Sequence, residues 1–395
     1  MLINSNIKNH QKKPLTKDAA VFFKRLFPRE VFYRLNKLYD LDKHTQKLKF
    51  RPFCIFLIVL IIFQPQDTSL RGIENLTKDK GIQLLTGQVS ISHTSIANRL
   101  KSIPTDSLNF VLESLVKNFK KRLKYKNPTL RGMKVFDVTT FSVSAKHYKW
   151  AAQRQSRANI RFLFVMDSYS GTPDAIVDAS RNLNDNRVFK TAISSAKNAR
   201  YFVFDKGFNK FSIFKLILER KQHFITRWKT NYIFSLLLSR KINLNEKLEK
   251  GWIIQSDEIG EIDIKSNQES ITVRKIVCWN SKLRKSFTIL TDERNIAPNK
   301  IVQMYVYRWP IEVLFRHIKS NLNVIHFPSH DAQGVRNWIL LVALSILIIQ
   351  HLSLEKQQNF KFSLMMRNSA FKPKLRKSQL KLREWTYHLV IESVQ

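Results

Sequence analysis

Apolar side chains recur at three- and four-residue spacing over most of the first 126 residues, in runs such as DAAVFFKRLF and LNFVLESLVKNFKKRLK. This spacing places apolar side chains on one face of an α-helix. From Pro128 the apolar positions fall instead in short runs rich in β-branched and aromatic residues: GMKVFDVTTFSVS, IRFLFVMDSYSGTPDAIVDAS and RYFVFDKGF. Such runs indicate strands. The pattern predicts an all-α N-terminal domain followed by strands of one sheet.

The remainder of the chain alternates between the two patterns. FSIFKLILERK has helical spacing after the third strand run, whereas GWIIQSDEIGEIDIK, SITVRKIVCWN and KSFTILTDE favour strands, and a helical pattern returns near Pro298. Strands that lead into covering helices are typical of an α/β fold, here with a mixed sheet. The patterns predict five segments: helical 1–126, mixed 127–230, β-rich 231–298, mainly helical 299–355 and a basic tail 356–395.

The two most apolar runs, 53–63 and 338–349, are shorter than the ~20 residues that cross a bilayer, so both are predicted to be core helices. The start MLINSNIKNHQKK has no apolar stretch before a small-residue cleavage site, so we expect no secretory signal and a cytoplasmic protein. Cys54 and Cys278 are the two cysteines of the sequence. Two cysteines exclude a disulfide framework and zinc sites built from paired Cys-x-x-Cys units.

The charge of the chain narrows the class of partner. Lys and Arg number 68 against 30 Asp and Glu, a net charge of +38. Basic side chains neutralise phosphates and release their counterions, so nucleic acid is the leading partner and an anionic membrane surface the second. A membrane-surface protein needs a segregated amphipathic face or an anchor. The basic residues are spread through a globular pattern instead, which favours nucleic acid.

A capped helix is predicted within GQVSISHTSIANRL. Its Ser and Thr residues suit the N-cap position, with Ile96 and Leu100 facing inward and His93, Asn98 and Arg99 facing outward. The segment is either the recognition part of a helix-turn-helix or an ordinary helix of a bundle, because helix-turn-helix patterns are loose.

Two aspartates follow apolar strand runs. Asp137 comes after the apolar run MKVF and Asp205 after the apolar run YFVF. Each carboxylate is therefore expected at a strand end, and both lie on one edge of the sheet if the strands are parallel. The alternative is that each Asp begins a turn or caps a helix.

Four polar residues are spaced for one helical face in YVYRWPIEVLFRHIKS. Tyr305, Arg308, Glu312 and Lys319 fall within roughly a 60° arc at ~3.6 residues per turn. Pro310 is best tolerated in a first helical turn, so Glu312 and Lys319 share one helix and the other two precede it. The alternative is a solvated face on which Glu312 pairs with Arg316 at i+4.

These four residues form the pattern Tyr-x-x-Arg-x-x-x-Glu-x-x-x-x-x-x-Lys, with VFDVTTFSVS, FDKGFNKF, FITRWK and LTDERNIAPNKIVQMYVYRWPIE around the candidate carboxylates. In these motifs the chain resembles the bacterial insertion-sequence transposases of the DDE superfamily, the insertion-sequence-four type. DKHTQKLKFRPF and DTSLRGIENL also resemble the accessory N-terminal domain of that family. The resemblance covers about residues 40 to 355.

The resemblance implies an RNase H-like catalytic core over 127–230 and 299–355, interrupted by a β-rich insertion over 231–298. Residues 1–126 would be a DNA-binding or accessory domain. Asp137, Asp205 and Glu312 would be the catalytic carboxylates and hold two Mg²⁺ ions, with Mn²⁺ as a substitute. The expected partners are double-stranded DNA, at the terminal repeats and the target, and a second copy of the chain on that DNA, with no membrane and a nucleoid-associated location.

The resemblance also assigns DNA contacts. Tyr305, Arg308 and Lys319 would bind phosphates near the cut, although Lys319 is equally explained as a surface charge. If a base is flipped during cleavage, Trp252 or Trp279 would stack on it, with core packing as the alternative role. Further phosphate contacts are expected from a set of basic residues near the catalytic strands: His147, Arg154, Arg157 and Arg227.

Two other activities share parts of this pattern. An RNase H-like nuclease without strand transfer would carry the same carboxylates, and an inactive transposase relative would bind DNA without cutting it. The four-residue signature argues against the first, and the presence of all three carboxylates argues against the second.

Overall fold

The computed structural model of the chain describes residues 25–63, 69–123, 128–152, 156–181, 186–242, 251–263, 270–280, 284–320 and 326–357. These residues divide into two compact units. One unit comprises the described residues of 25–115 together with 326–357, and the other comprises those of 116–320. Arg154 and most of the predicted basic tail lie outside the described residues.

The helices of the described chain are as follows: α1 Arg29–Tyr39, α2 Phe50–Phe63, α3 Leu70–Thr77, α4 Lys80–Thr86, α5 His93–Ser102, α6 Thr105–Arg122, α7 Asn186–Ser195, α8 Phe211–Glu219, α9 Pro298–Val306, α10 Trp309–Ser320 and α11 Ala332–Gln357. The strands are β1 Met133–Ser144, β2 Arg157–Asp167, β3 Thr172–Asp178, β4 Tyr201–Val203, β5 His223–Arg227, β6 Ile233–Ser239, β7 Trp252–Asp263, β8 Ser270–Asn280 and β9 Lys285–Thr291.

Helix α11 forms the centre of the first unit, where it packs against α2 and α5. The apolar run 338–349 belongs to this 26-residue helix. The helix is longer than this run, because flanking residues extend it: Ala332–His351 qualifies by length and composition to cross a bilayer. However, 83% of its most apolar window is buried inside the protein. Its apolar surface is therefore accounted for by packing within the unit.

Helix α5 corresponds to the predicted capped helix. The Ser92 hydroxyl accepts a hydrogen bond from the backbone N–H of Ser95, and the side chains of Ile96 and Leu100 are fully buried, as predicted. Arg99 was predicted to face outward, and this was wrong. Its guanidinium lies 3.2 Å from the carboxylate of Asp42 with the side chain only 10% exposed, so α5 uses this arginine for internal pairing.

All nine strands form one sheet in the order β3-β2-β1-β4-β5-β9-β8-β7-β6. The pairs β1–β4 and β4–β5 are parallel and the other pairs are antiparallel. The predicted mixed α/β class is confirmed, and the sheet with its covering helices is consistent with an RNase H-like DDE domain. Strands β6 to β9 extend the same sheet, because β9 pairs with β5. The five segment boundaries stay a prediction.

Aromatic rings fill one face of the central strands. The ring of Phe136 on β1 stacks on Phe204 with centroids 4.5 Å apart and meets the edge of Phe208 at 5.4 Å. Phe189 on α7 and Phe214 on α8 belong to the same buried cluster. The alternation of strand side chains sends these rings to the helix-covered face.

Two lysines and two aspartates form an ion network beside β1, in which each lysine contacts both carboxylates. Lys134, 2% exposed, lies 2.9 Å from Asp167 and 2.5 Å from Asp174, and Lys120 reaches the same two carboxylates at 2.7 and 2.9 Å. Burial by itself raises the pKa of Asp167, but Lys134 and Lys120 outweigh it and lower the pKa to about 2. The charges of this network are matched internally, which indicates a structural role.

Replacing Lys134 with Met should lower the free energy of unfolding by on the order of 3 kcal/mol at pH 7, because it leaves a buried carboxylate short of its partner. Denaturant titration measures this change. Lys285→Met, at an exposed lysine on β9, is the matched control and should change stability by less than ~0.5 kcal/mol. A loss no larger than that of the control would contradict the network's structural role.

The same network predicts a pH dependence. The folded pKa of Asp167 lies below the ~3.9 of an unfolded Asp. The stabilisation is therefore complete above about pH 4 and is lost as the pH falls from about 4 to about 2. The unfolding free energy of Lys134→Met, measured over that range, should fall less steeply than that of the wild type.

Candidate active site

Asp137 and Asp205 extend from neighbouring parallel strands in the same register. Val135 of β1 pairs with Val203 of β4, so each aspartate lies two residues beyond a paired valine. The residues directly before them, Phe136 and Phe204, stack on each other. This packing behind the strands brings the two carboxylates to the same edge of the parallel pair.

Asp137 was predicted at the end of its strand, and this was wrong. Strand β1 continues to Ser144, because residues after Asp137 remain paired with β2 in a long antiparallel ladder. The parallel pairing with β4, in contrast, ends at Val135. Asp137 therefore lies two residues beyond the last residue of β1 that pairs with β4. Asp205 follows β4 as predicted, one residue after Phe204.

The signature residues lie on two consecutive helices. Tyr305 is near the end of α9, Glu312 and Lys319 are on α10, and Arg308 lies in the turn between the helices. Pro310 falls in the first turn of α10, the position predicted for it. The helix break turns the side chains of Tyr305 and Arg308 toward the carboxylates.

Arg308 bridges two of the three candidate carboxylates. Its Nη2 donates to Oε1 of Glu312 at 2.5 Å and its Nη1 donates to Oδ2 of Asp137 at 3.4 Å. The hydroxyl of Tyr305 donates to Oδ1 of Asp205 at 3.5 Å. The arginine carbon Cζ also lies 5.6 Å from the Tyr305 ring centroid. The structure thus brings five of the six predicted site residues into one connected group.

Burial and like charges control the electrostatics of this group. Burial raises the pKa of Asp137 to about 6, and the carboxylates of Glu312 and Asp205 add to this rise. The backbone N–H of Val138 and the Arg308 guanidinium act in the opposite direction. Burial likewise raises the pKa of Tyr305 to about 12. A site with these properties favours the approach of additional positive charge.

Lys319 is the sixth predicted residue and lies further along α10. Its ammonium is 5.6 Å from the centroid of the Phe141 ring on β1, four residues beyond Asp137. Burial lowers the pKa of Lys319, and the side chain is half-buried. Lys319 therefore lies over β1 on the side of Asp137 rather than on an open surface.

The carboxylates suit a hard divalent cation in their chemistry. Mg²⁺ prefers oxygen ligands, and buried Asp137 with two further carboxylates near it would be stabilised by a cation. Among the described residues, however, no three His, Cys, Asp or Glu side chains are already arranged to hold a metal. The guanidinium of Arg308 supplies the positive charge between Asp137 and Glu312. The donor set fits a metal provided that Arg308 moves.

The other residues that were predicted to contact DNA do not all lie near the carboxylates. Arg227 ends β5 close enough to Tyr305 to influence its pKa, whereas His147 and Arg157 are exposed near the far end of the β1–β2 ladder. Trp252 is half-buried, with its ring 4.2 Å from that of Phe287.

Trp279 is also half-buried, opposite Ile253 in the β7–β8 ladder. Both indoles, Trp252 and Trp279, lie in or beside strand pairs of the extended sheet. Packing is the role that the geometry of these two residues favours.

Two tryptophans near the carboxylates did not enter the sequence prediction. Trp309 follows Arg308 directly and is 55% exposed. Trp228, with Lys206 and Lys229, lines a cavity of about 510 Å³ that also borders Asp205. Trp309 could have been found from the sequence, because it directly follows Arg308. Trp228 lies close to Asp205 only in the folded chain.

Comparison with known proteins shows the family of the chain. The family described as Transposase DDE domain matches residues 130–348, more than half of the chain, and the chain belongs to this family. The match includes all six predicted site residues. Members of this DDE transposase family generally use divalent metal ions.

Two curated relatives carry transposase names. The "Putative transposase y4zB" of Sinorhizobium fredii (strain NBRC 101917 / NGR234) is 28% identical over 188 residues, 47% of this chain and 51% of the relative. The "Probable transposase for insertion sequence element IS5377" of Geobacillus stearothermophilus is 21% identical over 281 residues, 71% of this chain and 72% of the relative. The chain thus spans about half the length of the first relative and nearly three quarters of the second.

Replacing Arg308 with Gln should tighten the binding of Mn²⁺ by about tenfold or more, because a charged hydrogen bond of ~1.5–3 kcal/mol no longer competes for the carboxylates. Isothermal titration calorimetry without DNA measures this. Arg220→Gln, at an exposed arginine after α8, is the control and should leave the affinity unchanged. Equal or weaker Mn²⁺ binding by Arg308→Gln would show that the arginine does not compete with the metal.

Proposed function

We propose that this protein is a DNA transposase of the insertion-sequence-four type, which hydrolyses phosphodiester bonds at the ends of an insertion sequence and joins those ends to target DNA. The observation that carries the proposal is that Asp137 in β1, Asp205 just after β4 and Glu312 in α10 converge around one arginine and one tyrosine. These side chains come from segments far apart in sequence. Their convergence beside a parallel strand pair supports one catalytic site.

Asp137, Asp205 and Glu312 are the residues that would hold two Mg²⁺ ions, or Mn²⁺ as a substitute. Such ions activate the attacking oxygen and stabilise the leaving 3′ oxygen of a phosphodiester. The chain contributes acidic ligands at the paired strands β1 and β4. The backbone N–H of Val138 donates a hydrogen bond of 2.8 Å to Asp137 and fixes its carboxylate. A fixed carboxylate limits the reorganisation required when a substrate phosphate arrives.

Basic and aromatic side chains around the carboxylates would bind and orient the DNA. Arg308, once released from Asp137 and Glu312, presents a fork that matches two phosphate oxygens. Lys319 adds a positive charge over β1, and Tyr305 donates a hydrogen bond beside Asp205. The exposed indole of Trp309 is better placed to stack on an unpaired base than the half-buried Trp252 and Trp279.

The reaction would proceed by cut and paste. Water would attack the phosphodiester at the element end and break its bond to the 3′ oxygen, which leaves a 3′ hydroxyl and a 5′ phosphate. That hydroxyl would then attack a phosphodiester of the opposite strand or of target DNA and displace the 3′ oxygen of the attacked strand. Because two ends are joined in one event, we propose a homodimer on the DNA. The net charge of +38 supports a location on the nucleoid in the cytoplasm.

The test compares wild type with Glu312→Gln on a duplex that carries the element's own end, with Mg²⁺ or Mn²⁺. Glu312→Gln should reduce 3′ nicking by about 10³-fold or more while DNA binding persists, because one ligand of the proposed ions is lost. Glu219→Gln makes the same chemical change at an exposed residue of α8 and should cut like the wild type.

The products separate the competing activities. Nicked ends that also appear covalently joined to a second duplex support transposition, whereas nicking alone at saturating target DNA would indicate a nuclease. DNA binding without metal-dependent cutting by the wild type would indicate an inactive relative.

A further inference from the structure

A buried ion pair links β7 and β8. Arg274 of β8 is 0% exposed and Asp257 of β7 is 2% exposed. The arginine atoms Nε and Nη2 donate to the two oxygens of Asp257, each at 2.7 Å. Two parallel hydrogen bonds of this kind fix the plane of the guanidinium.

The third nitrogen of Arg274 holds the segment that leads into α9. Its Nη1 donates to the backbone carbonyl of Ile296 at 2.6 Å and lies 3.4 Å from the carbonyl of Glu293. Helix α9 begins two residues after Ile296, at Pro298, and its N-cap residue Ala297 makes no side-chain capping bond. The guanidinium of Arg274 therefore holds the backbone just before α9, where no side chain caps the helix.

The other end of this segment is anchored to the central strands. The carboxylate of Asp292 accepts hydrogen bonds from the backbone N–H of Phe224 at 2.8 Å and from His223 at 2.7 Å. Glu293 accepts from Tyr201 of β4 at 3.3 Å and from the backbone N–H of Asn295 at 2.7 Å. The start of α9 is thereby held between β4 and β5 on one side and β8 on the other.

A buried charged pair is weak evidence of stabilisation, because an apolar pair of similar volume often serves stability equally well. What an apolar pair does not provide is the hydrogen bond to Ile296. We propose that Arg274 is a positioning residue: its pair with Asp257 orients the guanidinium so that it sets where α9 begins. The placement of Tyr305 at Asp205 and of Arg308 at Asp137 depends on that starting point.

The two contacts that depend on the start of α9 are long, so a small displacement of the helix would break them. Tyr305 reaches Asp205 at 3.5 Å and Arg308 reaches Asp137 at 3.4 Å, both at the long limit of a hydrogen bond. A helix transmits a displacement of its first turn to its last, and a misplacement of ~1 Å in a catalytic group costs on the order of 10²-fold in rate. The β7–β8 strands would thus act on the carboxylate site through the beginning of α9.

The test removes both charges together, so that neither is left buried alone. Arg274→Met with Asp257→Leu should keep the melting temperature within a few degrees of wild type. Hydrogen exchange of backbone amides, measured by mass spectrometry, should be about tenfold or more faster in 292–306. The matched control is Lys275→Met with Glu258→Gln, a directly opposite and partly exposed pair on the same strands with 3.1 Å between its charged atoms. The control should leave exchange in 292–306 unchanged.

The rate of DNA cleavage is a second measurement, which would not change if Arg274 served stability alone. This measurement rests on the proposed function. The charge-free variant should lose on the order of 10²-fold in single-turnover rate with unchanged affinity for the element-end duplex. Exchange in 292–306 equal to that of wild type in a folded variant would overturn the proposal. If wild type does not cut DNA, the exchange result still decides the positioning role, and only the proposed function fails.

Arg274→Lys covers the case in which the double variant does not fold. Lysine retains the charge opposite Asp257 but lacks the planar fork that reaches Ile296 at the same time. Faster exchange in 292–306 would support the proposal, whereas wild-type exchange and wild-type cleavage in Arg274→Lys would overturn it.

Discussion

Three residues of parallel pairing between β1 and β4 determine the geometry of the candidate site. The pairing runs from Met133 to Val135 on β1, and just beyond it the rings of Phe136 and Phe204 stack 4.5 Å apart. The residue after each ring is an aspartate, Asp137 within β1 and Asp205 in the extended backbone just beyond β4, and the alternation of an extended chain directs it away from the aromatic core. The rest of the sheet extends outward from this pair, with β2 and β3 on one side and β5 to β9 on the other.

Two clusters of carboxylates at β1 differ in how their negative charge is balanced. Asp167 and Asp174 are 11% and 9% exposed and are matched by two lysines. Asp137 and Glu312 are 19% and 32% exposed and share a single arginine. The first cluster has its charge neutralised in place. The second retains excess negative charge, which is the condition for binding a cation or a phosphate-bound metal.

The strands β6 to β9 are continuous with the central sheet and also reach the signature helices. Trp252 of β7 packs on Phe287 of β9, and Phe287 lies 5.7 Å from the ring of Tyr305. The polar contacts of Arg274 act on the same helix at its other end. These strands therefore contact Tyr305 near the end of α9 and the backbone just before its start.

The sequence by itself determined the helical and strand periods, the break before Pro310, the mixed α/β class and the six candidate residues. These features depend on side chains within a few positions of one another or on a motif shared with a family. Tertiary structure decided the rest. Asp137 lies inside β1 because the ladder with β2 continues past it, and Arg99 turns inward toward Asp42, 57 residues away. Arg308 reaches Asp137 across 171 residues, a pairing that no local period encodes, because it exists only once the parallel strands and α9 are packed together.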